Sequence, residues 1–273
     1  MYIQPQGHDR KPLTVPALQA MKQRGERIVA LTAYDYSFAV LRDNAGVDLI
    51  LVGDSLGMVV QGHATTLPVT LDAMVYHCAA VARGRRRALL VADLPFLSDV
   101  DAASAVRSGG RLLAEGGATM VKIEGAGPRL AAIEALAGNG IPVCAHLGLT
   151  PQSVHKLGGF RKQGRTSEAA ERLRSDALAV QQAGADLLVL ESVPAELAAQ
   201  VTAAAAIPVI GIGAGAACDG QILVGYDIIG LTPGKRPPFS RDFLAGHDSL
   251  PAAIGAYVEA VRNGSFPAAA EGA

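Results

Sequence analysis

The stretch DLILVGDSLG, Asp48 to Gly57, joins an apolar run to a charge at its end. Leu49, Ile50, Leu51 and Val52 leave no polar face, as in a strand buried on both sides. Yet the run is followed by Asp54. The same arrangement returns three times. LLVADLP places Asp93 after a buried run, MVKIEG places Glu124 there, and LLVLES places Glu191 there. One such carboxylate could cap a helix or form a stray salt bridge. Four demand a common cause.

Outward from this stretch, the chain alternates between short apolar runs and amphipathic segments. RIVALT from Arg27, DLILVGD from Asp48, ALLVADLP from Ala88 and TMVKIEG from Thr119 read as strands. IPVCAHLG from Ile141, DLLVLES from Asp186 and IPVIGIG from Ile207 continue the series, and an eighth strand lies within QILVGYDIIGL. Helical patterns fall between them: TLDAMVYHCAAVARG capped by Thr70, SEAAERLRSDALAVQQAG from Ser167, and PAELAAQVTAAA from Pro194. The phrases AGVD, GGAT and AGAD place a helix-ending glycine before the next strand. Thr14 with Pro16 behind it predicts a short N-terminal helix through Arg24, stopped by Gly25.

Strand and helix alternating eight times without a linker predict a single (β/α)8 barrel domain, with the barrel over about 26–262 and the short helix before it. A doubly wound open sheet is the alternative. Against it, GIGAG at Gly211–Gly215 comes late and lacks the GxGxxG spacing. The tail after Phe266, PAAAEGA, is expected to be disordered.

Composition excludes several classes of partner. The 273 residues carry 24 basic and 25 acidic side chains, a net charge of -1, and only 4% aromatics. Neither a basic field nor a stacking platform recommends nucleic acid. The cluster RGRRR, Arg83 to Arg87, reads most simply as a solvated helix end. Cys78, Cys144 and Cys218 lie far apart with no CxxC pair, which fits a reducing compartment. MYIQPQGHDRKP lacks the apolar core of a signal peptide, and no uncharged stretch is long enough to span a bilayer. A cytoplasmic enzyme of small molecules is the expectation.

In a barrel of parallel strands every C-terminal tip emerges on one face, where such folds build their active sites. Asp54, Asp93, Glu124, His146 and Glu191 are each last or nearly last on a strand. Lys122 and Glu124, two apart, point the same way. Carboxylates converging in a partly desolvated bowl repel one another unless a positive charge lies between them. Oxygen ligands without a neighbouring cysteine favour a hard cation, magnesium first, with room left for a two-oxygen ligand such as a 2-oxo acid. Each residue also has a plainer reading. Asp54 and Asp93 could cap loops, Glu124 could serve only Lys122, His146 could be a hydrogen-bonded core histidine, and Glu191 could pair with a distant Arg or Lys. The loop HLGLTPQSVHKLGGFRKQGR from His146 is long for a βα connection and reads as a lid, an anion anchor or a solvated segment. GIGAG reads equally as an anion nest or a tight turn.

TAYDYSFAVLRDNAGVDLILVGDSLGMVVQGHATTLPVTLDAMVYHCAAVARG strongly resembles the ketopantoate hydroxymethyltransferase family, as do LLVADLPF, MVKIEG, HLGLTPQSVHKLGGF, QGRT, LVLESVPAEL, IPVIGIGAG, CDGQILV and GLTPGKRP. The resemblance implies a magnesium-dependent (β/α)8 barrel, commonly decameric. Its reaction moves a one-carbon unit from 5,10-methylenetetrahydrofolate to C3 of 3-methyl-2-oxobutanoate, giving ketopantoate for pantothenate and coenzyme A. By motif position it implies Asp54, Asp93 and Glu124 at the metal, Glu124 through water. Ser55 and Lys122 would hold the oxo acid, His146 would line its pocket, and Glu191 would be the base at C3. An apolar strand end away from the cation is expected to suit Glu191 to accept a proton. Ala64, Ala145 and Ser192 depart from common family residues, as does the word after GIGAG, without removing a ligand or the base. A magnesium-dependent lyase or mutase of the phosphoenolpyruvate and isocitrate-lyase-like barrels is the second enzyme reading. A catalytically silent barrel that binds an oxo acid is the third.

Overall fold

The computed structural model describes residues 11–232, 234–268 and 271. The readings of the first ten residues, and most of the expected disordered tail, fall outside the described residues.

Eight parallel strands close into a barrel in sequence order: β1 Ile28–Thr32, β2 Leu49–Val52, β3 Leu89–Asp93, β4 Met120–Glu124, β5 Val143–Gly148, β6 Leu187–Glu191, β7 Val209–Ile212 and β8 Gly220–Leu223. The last pairs back to the first, Ile28 opposite Gly220. The helices are α1 Val15–Gln23, α2 Tyr36–Asn44, α3 Leu56–Val59, α4 Leu71–Gly84, α5 Ala102–Ala114, α6 Leu130–Gly138, α7 Val154–Leu157, α8 Ser167–Gln182, α9 Ala195–Ala204 and α10 Leu250–Arg262. This is the (β/α)8 barrel expected from the alternation, N-terminal helix included. None of the described helices is long and apolar enough to cross a membrane.

The strands are apolar throughout because both faces are covered. One set of alternate residues, including Val29, Leu31, Ile50, Val52, Leu90 and Ala92, packs under the surrounding helices. The other set, including Ile28, Ala30, Leu49, Leu51, Leu89, Val91, Met120, Cys144, Leu187 and Val189, fills the barrel lumen. Helix α1 plugs the lower end, with Leu18 and Met21 in the lumen cluster. Its first turn is capped by the Thr14 side chain, which accepts from Ala17 N, and Gly25 follows its end at φ 68°. Thr70 caps α4 by accepting from Ala73 N. Gly46, Gly117 and Gly184, expected to close helices, adopt φ 89°, 71° and 106°, a region open to glycine at little cost.

The two-residue period of a strand fixes what reaches the mouth. Continuing the lumen series Leu89, Val91 along β3 gives Asp93. Met120 along β4 leads to Lys122 and Glu124, Cys144 along β5 to His146, and Leu187 and Val189 along β6 to Glu191. Apolar residues fill the lower lumen and charged ones its upper end.

The opposite end of the barrel corrects one expectation. Arg83 to Arg87 is not merely a solvated helix end. Chain leaving α4 must turn at once into β3, and its N–H groups need acceptors. Asp43 supplies them, accepting from the backbone of Arg86 (3.1 Å), Arg87 (3.0 Å) and Ala88 (2.7 Å). The Arg85 guanidinium donates to Ala88 O at 3.2 Å. Arg87 donates to the fully buried Asp48 at 2.8 Å. Arg262 and Val29 N also donate to Asp48, at 3.2 and 3.0 Å.

Removing the Asp48 carboxylate strands a guanidinium and a buried N–H together, so Asp48→Ala should lower unfolding stability by about 3 kcal/mol. Arg262 is 43% exposed, and Arg262→Ala should cost less than about 1 kcal/mol. Urea denaturation of both variants tests this ranking. Equal midpoints would refute Asp48 as the organising group of this end.

Candidate active site

Each carboxylate at the mouth meets the others through strand ends that lie side by side. Asp93 sits opposite Lys122 across β3 and β4, and Glu124 opposite His146 across β4 and β5. Asp54 lies just beyond β2, and its backbone N–H donates to Asp93 Oδ2 at 2.9 Å. Lys122 Nζ is 2.9 Å from Asp93 Oδ1, 3.8 Å from Glu124 Oε1 and 3.2 Å from His146 Nδ1. On the far side, His146 Nε2 is 3.2 Å from Glu191 Oε2, off the line of an ideal hydrogen bond. A continuous polar chain thus runs Asp54–Asp93–Lys122–His146–Glu191. The Glu191 side chain is 15% exposed, against 3–5% for Asp93, Lys122, Glu124 and His146. Glu191 is therefore the most accessible of the five.

Burial raises the cost of every charge here. Asp54 is pushed well above the usual carboxylate range by desolvation and by the neighbouring charges of Asp93 and Glu124, against the opposing pull of Lys122 and the Gln152 amide. Burial also works against the Lys122 ammonium, but Asp93, Glu124 and Asp54 outweigh it and hold the proton more tightly than usual. For Glu124 burial is outweighed by His146 and Lys122, and its pKa falls. His146 is raised to about 9: desolvation and Lys122 oppose its charge, and the Glu124 and Glu191 carboxylates overcome them. Whether Nδ1 accepts from Lys122 or carries its own proton, Nε2 keeps a hydrogen for Glu191.

The structure brings together the five residues read from the strand ends and Lys122 beside Glu124, and places Ser55, implied by the resemblance, against Tyr34, but it revises the company of Glu191. The strand end expected to be apolar at Glu191 instead carries a contact with the buried His146 imidazole. Ser192, immediately after it, is buried at φ 48°, a left-handed conformation that costs a non-glycine residue on the order of 1 kcal/mol. The strain is held by ordinary backbone bonds, Ser192 N to Ile212 O at 2.9 Å and Gln163 N to Ser192 O at 2.9 Å.

Two residues escaped the sequence reading. Tyr34 OH and Ser55 Oγ are 2.8 Å apart, and Tyr34 stands two positions beyond the end of β1, the same strand-end signal carried by a hydroxyl. Gln152 lies in the long loop after His146, which folds into a turn at Pro151–Ser153 followed by α7. Its Nε2 donates to Asp54 Oδ2 and to Leu94 O, each at 2.9 Å, and its backbone N–H donates to Glu124 Oε2 at 3.0 Å. That loop is docked on the carboxylates by this one side chain. The glycines of GIGAG form a covered turn: a side chain on Gly213 would come within 2.8 Å of the Phe239 ring.

The donor set for a cation is all oxygen. Among the described residues no group of three acidic, His or Cys side chains is arranged as a ready-made metal cage. Buried Glu124 Oε1 nevertheless accepts no well-formed hydrogen bond, as a ligand atom of a hydrated ion would, and Asp93 Oδ1 has Lys122 Nζ as its one close partner. A cavity of about 390 Å³ lies beside the mouth, lined by Gly125, Gly148, Thr150, Gln163, Thr166 and residues of α8.

The chain matches the family described as ketopantoate hydroxymethyltransferase across residues 12–269. It is 57% identical over 270 residues to the 3-methyl-2-oxobutanoate hydroxymethyltransferase of Alkalilimnicola ehrlichii, covering 99% of this chain and 98% of that one. Among solved structures, phosphoenolpyruvate phosphomutase from Streptomyces platensis subsp. rosaceus superposes with a TM-score of 0.59 at 15% identity, covering 80% of this chain and 83% of that one. Phosphonopyruvate hydrolase, in complex with oxalate and Mg++, gives 0.59 at 14% identity over 77% and 80%. These last two share the barrel, and the sequence match decides the family. This chain belongs to the ketopantoate hydroxymethyltransferase family of enzymes.

Proposed function

We propose that the chain transfers a hydroxymethyl group from 5,10-methylenetetrahydrofolate to C3 of 3-methyl-2-oxobutanoate, with magnesium at Asp54, Asp93 and Glu124. The observation that supports it most is the polar chain across the mouth. It separates a cluster of buried carboxylates from one accessible carboxylate, Glu191, with Lys122 and His146 between them. A small oxo acid lying over that chain spans both ends. A barrel of the same fold is described with oxalate and Mg++, a ligand that, like a 2-oxo acid, offers two oxygens to one ion. The all-oxygen donors fit magnesium, which takes one or two carboxylates and keeps several waters, with Asp93 Oδ1 shared with Lys122.

Bound magnesium supplies Lewis-acid polarisation of the keto group. The protein's own residues do the rest. Lys122 neutralises the carboxylate cluster and, with Ser55, holds the oxo acid's carboxylate and keto oxygens. Tyr34 orients the Ser55 hydroxyl. His146 Nε2–H holds one oxygen of Glu191, leaving the other to take the proton from C3. The N10–CH2 bond of the folate opens, N10 taking a proton, and C3, relieved of its own proton, bonds to the methylene carbon of the resulting N5 iminium. The CH2–N5 bond then breaks as water supplies the hydroxyl and a proton to N5, releasing the hydroxymethyl product and tetrahydrofolate. On the family resemblance we extend the reading to a cytoplasmic homodecamer serving pantothenate and coenzyme A synthesis.

Lyases and mutases of the related barrels commonly bring a reactive cysteine or a phosphate-binding set on a mobile loop. Here Cys78, Cys144 and Cys218 are all buried, and burial pushes their thiols up to about 12, 12 and 11. That observation favours the transferase.

A proton NMR time course in D2O tests the first step alone. With 3-methyl-2-oxobutanoate and magnesium the C3 proton signal should vanish, and Glu191→Gln should slow this exchange by roughly 100-fold or more. Exchange at the wild-type rate would remove Glu191 as the base. Adding 5,10-methylenetetrahydrofolate should then produce a hydroxymethyl resonance.

The metal reading makes a separate demand. A chelator should abolish exchange in the wild type, and excess magnesium should restore it. Asp54→Ala and Asp93→Ala should stay inactive at every magnesium concentration. Either variant working with unchanged magnesium dependence would dismiss that carboxylate as a ligand.

A further inference from the structure

Each carboxylate of the cluster has one oxygen engaged by an N–H group. Asp93 Oδ2 accepts from Asp54 N, Asp54 Oδ2 from Gln152 Nε2, and Glu124 Oε2 from Gln152 N. Asp93 Oδ1 is paired with Lys122 Nζ at 2.9 Å, whereas among the described residues Glu124 Oε1 has only the looser approaches of His146 Nδ1 at 3.5 Å and Lys122 Nζ at 3.8 Å, and Asp54 has a hydrogen bond only on Oδ2. Asp54 and Glu124 therefore each keep one oxygen without a close hydrogen bond, and Asp93 shares its second oxygen with Lys122. Two of the three locks come from one residue, and its side-chain amide is fully committed: one Nε2 hydrogen goes to Asp54 and the other to Leu94 O. Turning the amide over would set its oxygen against a carboxylate and a carbonyl, so its orientation is chemically determined.

Magnesium and calcium differ in what they ask of such a cluster. Magnesium takes single oxygens at about 2.0–2.1 Å in a near-ideal octahedron and keeps its waters, whereas calcium gathers 6–8 oxygens at about 2.3–2.6 Å and commonly grips a carboxylate by both. We propose that Gln152 is a positioning residue that sets cation selectivity, denying calcium a two-oxygen grip on Asp54 and Glu124 while leaving magnesium its single oxygens. The proposal rests on the magnesium reading of Asp54, Asp93 and Glu124. It gives the docked loop a role beyond covering the mouth, since the loop's own amide decides how the carboxylates present themselves.

Gln152→Met keeps the length of the side chain and the backbone N–H to Glu124, and removes only the Nε2 donor. Magnesium chloride and calcium chloride are titrated calorimetrically into metal-stripped protein with excess 3-methyl-2-oxobutanoate. Asp54→Ala serves as the control for the site, and thermal melting checks the fold of each variant. The wild type should prefer magnesium. In Gln152→Met the calcium-to-magnesium ratio of dissociation constants should fall roughly tenfold, the factor expected for losing a hydrogen bond to a charged group. Gln152→Ala, which needs no room in the site, should shift the ratio in the same direction. A merely structural role would weaken both cations together and leave the ratio in place, and that outcome overturns the proposal alone. A wild type that binds neither cation, or an Asp54→Ala variant that binds both as well as wild type, overturns the magnesium reading and this proposal with it.

Discussion

One ammonium group holds the mouth of this barrel together. Lys122 Nζ lies within 4 Å of two buried carboxylates and a buried imidazole, in surroundings where an isolated charge would be costly. Without it Asp54, Asp93 and Glu124 would confront one another with no positive charge between them, and protonation would be the cheaper outcome. With it, and with His146 alongside, the Glu124 pKa is held below its ordinary value, and the rise that burial and neighbouring charges force on Asp54 is opposed. The lysine reaches this position because it is two residues below Glu124 on the same strand, and the strand period turns both inward. The electrostatics of the site is thus a consequence of barrel geometry. An outward turn of β4 by one residue would place both charges under the helices.

Much of this was legible in the sequence because a closed parallel barrel makes strand ends equivalent. Apolar runs ending in Asp93, Glu124 and Glu191 announced both the strands and the face on which they open. What could not be read lay in contacts between segments whose register no local pattern specifies. Gln152 reaches Asp54 across 98 positions of sequence, and only the folded path of the loop after β5 brings them together. The roles of Asp43 and Asp48 likewise carry no local signal, since nothing in RGRRR says which N–H groups will lack partners once α4 turns into β3. The five strand-end residues and Lys122 were found by a rule about position, and Ser55 by the family resemblance. Gln152 needed a rule about reach, which sequence alone does not provide.

The barrel by itself says little about chemistry. Its low-identity fold relatives include a phosphomutase and a phosphonopyruvate hydrolase, and a shared fold hosts many reactions. The difference lies in which side chains occupy the mouth. Here the most accessible of the carboxylates, Lys122 and His146 described at the mouth is Glu191, backed by an imidazole, and every thiol is buried. That arrangement suits removing a proton from carbon and offers no sulfur to take part.

The pairing of that carboxylate with its imidazole depends in turn on a missing side chain. Gly148 ends β5 at φ 91°, and a Cβ there would lie 2.2 Å from Glu191 O. No shift of a flexible neighbour could relieve that contact, because the obstructing atom is backbone. Any other residue would force the ends of β5 and β6 apart, lengthening both the bond from Leu149 N to Glu191 O, now 2.8 Å, and the 3.2 Å between His146 and Glu191. The glycine in HLG reads at first as turn punctuation. In the folded barrel it is the condition for two strand tips to approach closely enough for His146 to meet the Glu191 carboxylate, and the left-handed Ser192 on the other side of Glu191 completes the constraint. The carboxylate at the end of β6 is held from two directions by backbone geometry, and its alignment with the polar chain across the mouth follows from the closeness of those two strands.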